Sequence, residues 1–314
     1  MPGTTIDGRA LARELLDAVR ERVEALAAQA GIATLLIGED SAAQIYQRRI
    51  HRAADGVGLA SRDETLPADA SLERVAQTIA DIDADPSISG ILVLRPIPAH
   101  LPEALVLRSI PPPKDVEAQH PENAGLLALG TPRFVPSTAG AAFALLDRHM
   151  QAQGRPLELA YDGIDLVIVG RSNNVGKPAA ILGLARNATV ISAHKHTANA
   201  GRLAEHTRLA DVLIVAAGVP GLITGEMVRP GAIVIDIGIN PITQADGSVR
   251  LVGDVDFESV IAVASAVSPV PGGVGPITDA WVLHNAVLAA EHVRAASDDP
   301  DALRFGLGPF WGAV

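Results

Sequence analysis

The chain has 314 residues, of which 48% are hydrophobic and only 3% aromatic. This length predicts two domains, whose cores must be built from Ala, Val, Leu and Ile. With 25 basic and 36 acidic residues the formal net charge is −11, which disfavours binding to nucleic acid or anionic membranes. An anionic ligand would therefore need a local positive pocket. The absence of cysteine excludes disulfides, thiolate metal sites and a cysteine nucleophile.

The first part of the chain alternates predicted helices and strands with short connections. Apolar spacing and turn residues predict a helix over 7–28, a strand at Ile32–Ile37, a helix from Ser41 to Asp55, a short strand, a helix near 71–84 and a strand at Gly90–Leu94. Ser71 is the expected N-cap of the helix near 71–84. Such alternation favours a parallel sheet.

The alternation restarts after a polar, irregular segment at 149–163, which we interpret as a boundary region. Strands are predicted at Leu166–Val169, Thr189–Ser192, Val212–Ala216 and Ile233–Ile237, and helices at Ala179–Ala185 and near 198–208, 224–229 and 278–296. The tail at 297–314 has no clear period. This pattern predicts a second open α/β unit.

Targeting and membrane segments are not evident in the sequence. The N-terminus does not show a basic segment followed by an apolar run, so no signal peptide is expected. The apolar stretches fall short of the roughly 18 residues that a membrane-spanning helix requires. We therefore expect a cytoplasmic protein that binds neither membrane nor nucleic acid.

A strand, a glycine-containing turn and a helix are predicted in succession over 165–178. Gly170 and Gly176 permit tight turning and close backbone approach, and the N–H groups at the start of the next helix can hold a phosphate. The motif departs from G-x-G-x-x-G because Ser172 stands at the second glycine position. It predicts a nucleotide site, with an ordinary strand-to-helix turn as the alternative.

Positive charge surrounds this turn. Arg171 lies within it, and His194-Lys195-His196-Thr197 follows the next predicted strand. In a doubly wound sheet, the end of the second strand lies beside the adenosine ribose, where an acidic residue would accept from a free 2′-hydroxyl. A cationic segment instead suits a 2′-phosphate. The sequence therefore predicts NADP rather than NAD, with a solvated basic loop as the alternative.

Residues 267–278 contain three Pro and three Gly, which restrict a loop backbone strongly. Long ordered loops in compact domains are usually functional. The preceding segment, Asp254–Phe257, is also distinctive. We expect a functional loop here, and a purely structural corner is the alternative.

The chain resembles the bifunctional methylenetetrahydrofolate dehydrogenase/cyclohydrolase family over nearly its whole length. The motifs that carry the resemblance are, in order, IGEDSAAQIY at 37–46, GILVLRPIP at 90–98, PPKDVEAQHPENAG at 112–125, VPSTAG at 135–140, GRSNNVGKP at 170–178, VAAGVPG at 215–221, VIDIGINP at 234–241, GDVDF at 253–257 and PVPGGVGPIT at 269–278. The resemblance implies a homodimer that acts on a reduced folate-like molecule.

The resemblance also implies a two-lobed α/β fold. Residues 1–140 would form an N-terminal α/β catalytic domain, to which a C-terminal helix within 276–314 returns, and residues 141–275 would form a Rossmann-like NADP-binding domain. Substrate binding is assigned to Tyr46, Glu117, Pro271, Gly272 and Gly273. Cofactor binding is assigned to Gly170, Arg171, Ser172, Val175, Gly176, His194, Lys195, Thr197, Ala217, Gly218, Ile239 and Thr278, and no metal is expected.

The catalytic positions depart from the family pattern. The family has a Lys four residues after the Tyr that matches Tyr46, and here that position is Ile50. The Gln that supports the Lys is replaced by Leu94, and the pterin-binding Asp by Glu117. Loss of only one member of a buried polar pair would leave the other unsatisfied, at a cost of roughly 1–3 kcal/mol. The Lys and Gln are therefore interpreted as lost together.

The two steps of the family reaction have different requirements. Hydride transfer to NADP leaves a cation that the two adjacent substrate nitrogens stabilise, so this step mainly needs correct placement. Ring opening by water needs proton transfer. We therefore expect a dehydrogenase whose cyclohydrolase activity is weak or lost. The alternatives are an NADP-dependent oxidoreductase of a modified pterin or another cyclic amine, and a catalytically silent NADP-binding regulator.

Overall fold

The computed structural model describes residues 2–26, 30–244 and 246–298. They divide into two compact units. Of the described residues, the Tyr46 unit comprises those in 13–137 and 279–298, and the Gly170 unit comprises those in 2–12 and 138–278. Within the described ranges, no helix is both long and apolar enough to cross a membrane.

The helices and strands alternate along most of the chain. Up to residue 152 they are β1 (Thr4–Thr5), α1 (Arg9–Leu26), β2 (Gly31–Ile37), α2 (Ser41–Gly56), β3 (Ala60–Leu66), α3 (Leu72–Asp83), β4 (Gly90–Val93), α4 (Glu103–Arg108), α5 (Pro121–Ala128) and α6 (Ser137–Ala152). They continue as β5 (Asp165–Val169), α7 (Gly176–Leu184), β6 (Thr189–Ala193), α8 (Lys195–Asn199), α9 (Leu203–Thr207), β7 (Val212–Val215), β8 (Ile233–Asp236), β9 (Asn240–Thr243), β10 (Val249–Val252), α10 (Phe257–Ile261), β11 (Ala266–Val267) and α11 (Val274–Asp298).

The Tyr46 unit contains a parallel sheet in the order β3-β2-β4. Every residue of β2 is buried, as expected for a central parallel strand with both faces covered. The predicted helix at 41–55 is confirmed as α2, which begins where Asp40 accepts a hydrogen bond from the Ala43 N–H at 2.8 Å. Ser71 is likewise confirmed as the N-cap of α3.

The part of α11 that belongs to the Tyr46 unit packs against its sheet and loops. The Asn285 amide donates to the carbonyl oxygens of Val116 and Val135, at 2.7 and 2.9 Å. A Cβ at Gly90 would lie 3.1 Å from the Ala286 Cβ, so a glycine in β4 permits this close approach. Of the C-terminal segment predicted to return to this domain, residues 299–314 lie outside the described residues.

His284 on α11 is a buried histidine next to an arginine. Its Nδ1 lies 2.8 Å from Nη1 of Arg22, which donates to it. Burial and then the Arg22 charge lower the His284 pKa to about 3. Because the folded pKa lies below the unfolded value of about 6.5, this histidine contributes stability above that value that is lost as the pH falls.

We expect the His284→Gln variant, which keeps an acceptor for Arg22, to flatten this acid dependence. The unmodified chain should lose stability relative to the variant between pH 7.5 and pH 5. Urea unfolding of both proteins at the two pH values measures the difference. A constant stability difference would show that His284 does not titrate on unfolding.

The Gly170 unit contains a parallel sheet in the order β1-β11-β8-β7-β5-β6. In β5 and β6, Val169 pairs with Ala193, so these strands end side by side at the same edge. The antiparallel hairpin of β9 and β10 was not anticipated from the sequence. The predicted strands of this half are confirmed, each within about one residue of its predicted ends.

Several local predictions for this unit are wrong. The helix predicted near 198–208 is two short helices, α8 and α9, separated by Gly201 in a left-handed conformation with φ +72°. The helix predicted at 224–229 is a single 3-10 turn at Gly225–Met227. The segment 149–163 is not a boundary, because α6 continues through Ala152 and the units divide at 137/138.

The sequence analysis placed the N-terminal residues in the catalytic domain, 1–140. In the structure, the described residues up to Ala12 belong instead to the Gly170 unit. Thr4 and Thr5 of β1 pair in parallel with Ala266 and Val267 of β11. This pairing over a long sequence separation has no local sequence signal, so periodicity alone cannot assign it. The remaining divisions, at 137/138 and 278/279, lie within three residues of the predicted 140/141 and 275/276.

Candidate cofactor and substrate sites

The turn between β5 and α7 requires both of its glycines. Gly170 has φ +129°, and a Cβ on it would lie 2.2 Å from the Ala216 carbonyl oxygen. A Cβ on Gly176 would lie 2.2 Å from the Gly170 carbonyl oxygen. The end of one strand, the neighbouring strand and the start of the helix thus approach more closely than side chains allow. Pro178 lies in the first turn of α7, where its missing N–H costs little.

Ser172 lies three residues before Val175, the N-cap of α7, and binds backbone N–H groups at the start of the helix. Its Oγ accepts from the N–H groups of Val175 and Gly176, at 3.2 and 3.4 Å. These two N–H groups therefore already have an acceptor within the protein, although the sequence analysis assigned their residues to the cofactor. A ligand phosphate at this turn must compete with Ser172 or use side-chain donors such as Arg171, which is exposed.

A cationic edge forms where β5 and β6 end together. The Gly170 N–H donates to the Ala193 carbonyl at 2.9 Å, which brings Arg171 and His194 to the same edge. The pKa of His194 is lowered, first by loss of hydration and then by the charges of Arg171 and His196. Lys195, the first residue of α8, is exposed. Neither Arg171 nor Lys195 forms a salt bridge with any residue in the described part of the chain.

Thr197 has a structural role at this edge. Its Oγ1 accepts from the His194 N–H at 3.2 Å, and the Nδ1 of His194 accepts from the His196 N–H at 3.3 Å. These bonds form a capping box at the start of α8. Thr197 can still donate through its hydroxyl, whereas Lys195 has its whole ammonium group free to meet an anion.

Asp254 organises the loop that follows β7. It is fully buried, and its carboxylate accepts from the N–H groups of Ala217, Gly218 and Val219 at 2.6, 2.8 and 2.9 Å. It also accepts from the Asn240 amide at 2.8 Å. The loop predicted to contact the cofactor is therefore held from beneath by one carboxylate, and its first N–H groups point into the protein.

A second buried carboxylate supports the first. Asp236, at the end of β8, accepts from the N–H groups of Gly238, Asp254 and Val255, each at 3.0 Å. Burial raises its pKa to about 7, and these hydrogen bonds oppose the rise. The chain after β8 is thereby fixed up to Ile239, whose apolar side chain is 54% exposed at a position that the sequence analysis assigned to the cofactor.

The loop at Pro271–Gly273 is braced by the N-terminal segment of the same unit. The Gly8 N–H donates to the Gly272 carbonyl at 2.9 Å, and a Cβ on Gly8 would lie 2.1 Å from the Gly273 carbonyl oxygen. Gly272 has φ +112°, which disfavours any side chain. Thr278, four residues into α11, donates through its hydroxyl to the Val274 carbonyl at 3.2 Å.

Tyr46 lies in a charged setting within its own unit. Its ring packs against the apolar cluster of α2. Its pKa is raised well above the ordinary value, first by burial and then by the carboxylates of Glu117 and Asp279. The phenol therefore keeps its proton and can act as a hydrogen-bond donor. The guanidinium of Arg49 lies 5.2 Å from the ring centroid.

Glu117, which stands at the position of the family Asp, has partners in the protein. One carboxylate oxygen accepts from the Ser137 N–H at 3.0 Å and the other from the Ser137 hydroxyl at 2.5 Å. Ser137 is the first residue of α6, so Glu117 stabilises that helix end. Burial raises the Glu117 pKa. Each oxygen retains a lone pair, so a ligand contact is compatible with these bonds.

Ile50 and Leu94 share one apolar cluster. They are 0% and 2% exposed, and Val282, Leu283 and Ala286 of α11 belong to the same cluster. Residues with polar side chains at these two positions would have to be buried in it. His51, one residue further along α2, bonds Thr34 Oγ1 through Nε2 at 2.7 Å and is thereby tied to β2.

The ion pair of Arg49 with Asp279 was not found by the sequence analysis. Nε of Arg49 lies 2.6 Å from Oδ2 of Asp279, and Nη2 lies 2.9 Å from Oδ1. Burial raises the Asp279 pKa to about 6, and Arg49 opposes the rise. The two residues are 230 positions apart, and the only sequence signal was an acidic residue immediately after the Pro- and Gly-rich loop.

Both parts of the chain match domains of one known protein family. Residues 6–117 match the tetrahydrofolate dehydrogenase/cyclohydrolase catalytic domain, and residues 136–294 match the NAD(P)-binding domain of the same family. The bifunctional protein FolD 3 of Rubrobacter xylanophilus is 53% identical over 294 residues, which cover 92% of each chain.

Solved structures give the same result. The bifunctional FolD methylenetetrahydrofolate dehydrogenase/cyclohydrolase of Campylobacter jejuni is similar with TM-score 0.83 and 36% identity, over 92% of this chain and 98% of that one. The Trypanosoma brucei enzyme, solved with NADP and an inhibitor, is similar with TM-score 0.85 and 31% identity, over 94% and 99%. The chain therefore belongs to the tetrahydrofolate dehydrogenase/cyclohydrolase family.

Proposed function

We propose that this chain is an NADP-dependent methylenetetrahydrofolate dehydrogenase in which cyclohydrolase activity is weak or lost. The observation that carries the proposal is the contrast between its two halves. The glycine turn and cationic edge of the Gly170 unit keep the features that a dinucleotide needs. In the Tyr46 unit, by contrast, Ile50 and Leu94 lie in an apolar cluster where the family has a polar pair.

The chemistry divides accordingly. Bound NADP would supply the hydride acceptor, and the chain would place the methylene carbon of the substrate against it. The ring of Tyr46 would stack on the substrate while its phenol donates a hydrogen bond. Glu117 would meet the guanidine-like edge of the pterin with its remaining lone pairs. The roles of Pro271, Gly272 and Gly273 in binding substrate follow from the family resemblance and belong to the proposal.

The activity is tested with purified full-length chain, methylenetetrahydrofolate and NADP. Formation of NADPH with stoichiometric methenyltetrahydrofolate is the expected result. A chain that binds NADP but reduces none with this substrate would favour the alternative of a different cyclic amine substrate. A chain that binds no reduced folate at all would favour the silent regulator.

Cofactor preference is expected to depend on the cationic edge. Arg171 and Lys195 are exposed and have no salt-bridge partners in the described part of the chain, so both fit a 2′-phosphate. The Arg171→Gln/Lys195→Gln variant should weaken NADP binding by about 10- to 100-fold, as expected for loss of one or two charge-assisted contacts, and should leave NAD binding nearly unchanged. Titration of both cofactors measures this, with His206→Gln on α9 as a control. Equal losses for NADP and NAD would contradict the assignment.

A homodimer and a cytosolic location are further parts of the proposal. The homodimer rests on the family resemblance, and the location rests on the composition of the chain. Light scattering of the purified chain, with and without NADP, tests the first part. A monomer at micromolar concentration would contradict the homodimer but would not affect the dehydrogenase assignment.

A further inference from the structure

Arg49 is fixed on two sides beside Tyr46. It lies one helical turn after Tyr46 on α2, and its guanidinium carbon is 5.2 Å from the ring centroid. The Asp279 carboxylate accepts hydrogen bonds from Nε and Nη2 along one edge of the same guanidinium, at 2.6 and 2.9 Å. A guanidinium held by a ring and by a carboxylate has lost most of its rotamer freedom before any ligand arrives, and such preorganisation favours binding.

The burial of this pair is unequal. The side chain of Asp279 is 13% exposed, whereas that of Arg49 is 50% exposed. The carboxylate thus lies beneath the guanidinium, and half of the guanidinium side chain faces outward. Nη1 of Arg49 donates to no other residue in the described ranges. The result is a rigid, planar donor group that presents unused N–H groups, a geometry that suits a carboxylate ligand.

Among the described residues, Arg49 is the cation that lies against the Tyr46 ring, whereas the neighbouring Arg48 makes no such contact. The carboxylates of Glu117 and Asp279 both act on the Tyr46 phenol, so an anion placed here would be repelled by them. Arg95 already donates to Glu103 and to Gln119, both at 2.6 Å. In a chain of net charge −11, an acidic ligand needs such a local cation.

We propose that Arg49 determines substrate specificity by binding a carboxylate in the glutamate portion of the reduced folate that stacks on Tyr46. Asp279 acts as a positioning residue that orients the guanidinium. The inference rests on the proposed function, because a reduced folate combines a planar ring system with an acidic tail. It adds a recognition site for the tail to the ring contacts of Tyr46 and Glu117.

The test compares two substrates, methylenetetrahydrofolate and methylenetetrahydropteroate, which lacks the glutamate. The main variant is Arg49→Gln/Asp279→Asn, since removing both members avoids leaving a buried carboxylate unpaired. Its KM for methylenetetrahydrofolate should rise by about 10- to 100-fold with kcat little changed. Its KM for the pteroate should stay the same, so discrimination between the two substrates should largely disappear.

Two further variants separate binding from folding. The Asp279→Asn variant keeps the Arg49 side chain but removes the ion pair that orients it. The KM of this variant for methylenetetrahydrofolate should therefore rise less than that of the double variant. Arg48→Gln removes the neighbouring exposed arginine of α2 and should change neither KM. If the double variant raises both KM values equally, or neither, Arg49 has only a structural role and the proposal is overturned.

A binding measurement keeps this test separate from that of the dehydrogenase. Calorimetry compares tetrahydrofolate with tetrahydropteroate on the full chain saturated with NADP. If hydride transfer is absent but the chain prefers tetrahydrofolate and the double variant loses that preference, the proposed function fails while the Arg49 contact stands. If the unmodified chain binds both compounds equally, or binds neither, the Arg49 proposal is overturned.

Discussion

Enzyme-dependent ring opening of methenyltetrahydrofolate is expected to increase when Ile50→Lys and Leu94→Gln are combined. The unmodified chain should open the ring about 10²- to 10⁴-fold more slowly than relatives that keep the polar pair, which is the usual contribution of a general acid–base group. The physical reason is the cluster around Ile50 and Leu94, because an alkyl side chain can neither orient water nor transfer a proton. Hydride transfer should change much less, since the substrate nitrogens stabilise the cation.

The two single variants provide the controls for this experiment. Ile50→Lys alone places an ammonium group at a fully buried position within the apolar cluster that also contains Val282 and Leu283. Such a Lys tends to lose its proton or to destabilise the fold, so it should restore less activity than the double change. Leu94→Gln alone should restore nothing and should lower stability by about 1–3 kcal/mol through an unsatisfied amide.

The assay follows the loss of methenyltetrahydrofolate above its spontaneous rate, alongside NADPH formation from methylenetetrahydrofolate. Robust ring opening by the unmodified chain would contradict the prediction and would require another proton carrier. His51 is a poor candidate because Thr34 binds its Nε2. Asp279, whose pKa is raised to about 6 by burial, would be the first group to test in that case.

The elements that could be predicted from sequence are those with a strong local pattern. The buried strand β2 and the helix α2 follow from an apolar run and from apolar spacing next to an N-cap, and both were predicted to within about two residues. The turn after β5 was also predicted, because the sequence shows glycines at Gly170 and Gly176. The structure has no room for a side chain at either position. In these cases the local sequence and the tertiary environment favour the same structure.

What sequence analysis missed depends on contacts between distant residues. The pairing of β1 with β11 and the ion pair of Arg49 with Asp279 join residues more than 200 positions apart, for which periodicity gives no signal. The predicted cofactor residues Ala217 and Gly218 illustrate the same limit. Their motif was recognised, but the N–H groups are bound to Asp254 at 2.6 and 2.8 Å, which only the folded chain reveals.

Asp254→Ala is expected to unfold the Gly170 unit locally and to abolish NADP binding. The carboxylate is fully buried and accepts four hydrogen bonds, three from consecutive backbone N–H groups and one from Asn240. Asn240 is buried, so leaving its amide without an acceptor costs about 1–3 kcal/mol, whereas Gly218 and Val219 are exposed residues whose N–H groups cost less. This loss is a large fraction of the stability of a typical domain, about 5–15 kcal/mol.

Asp256→Ala provides the matched control, because Asp256 is exposed and makes no capping bond at the start of α10. It should leave thermal unfolding and NADP affinity nearly unchanged. Asp254→Asn should fall between the two, since its amide retains one acceptor oxygen but turns a donor toward N–H groups that also donate. Calorimetric unfolding and NADP titration of the three variants measure these effects. Normal NADP affinity in Asp254→Ala would mean that the 217–219 loop keeps its shape without the carboxylate, and the cofactor site would then have to be organised by the Gly170 turn and the cationic edge alone.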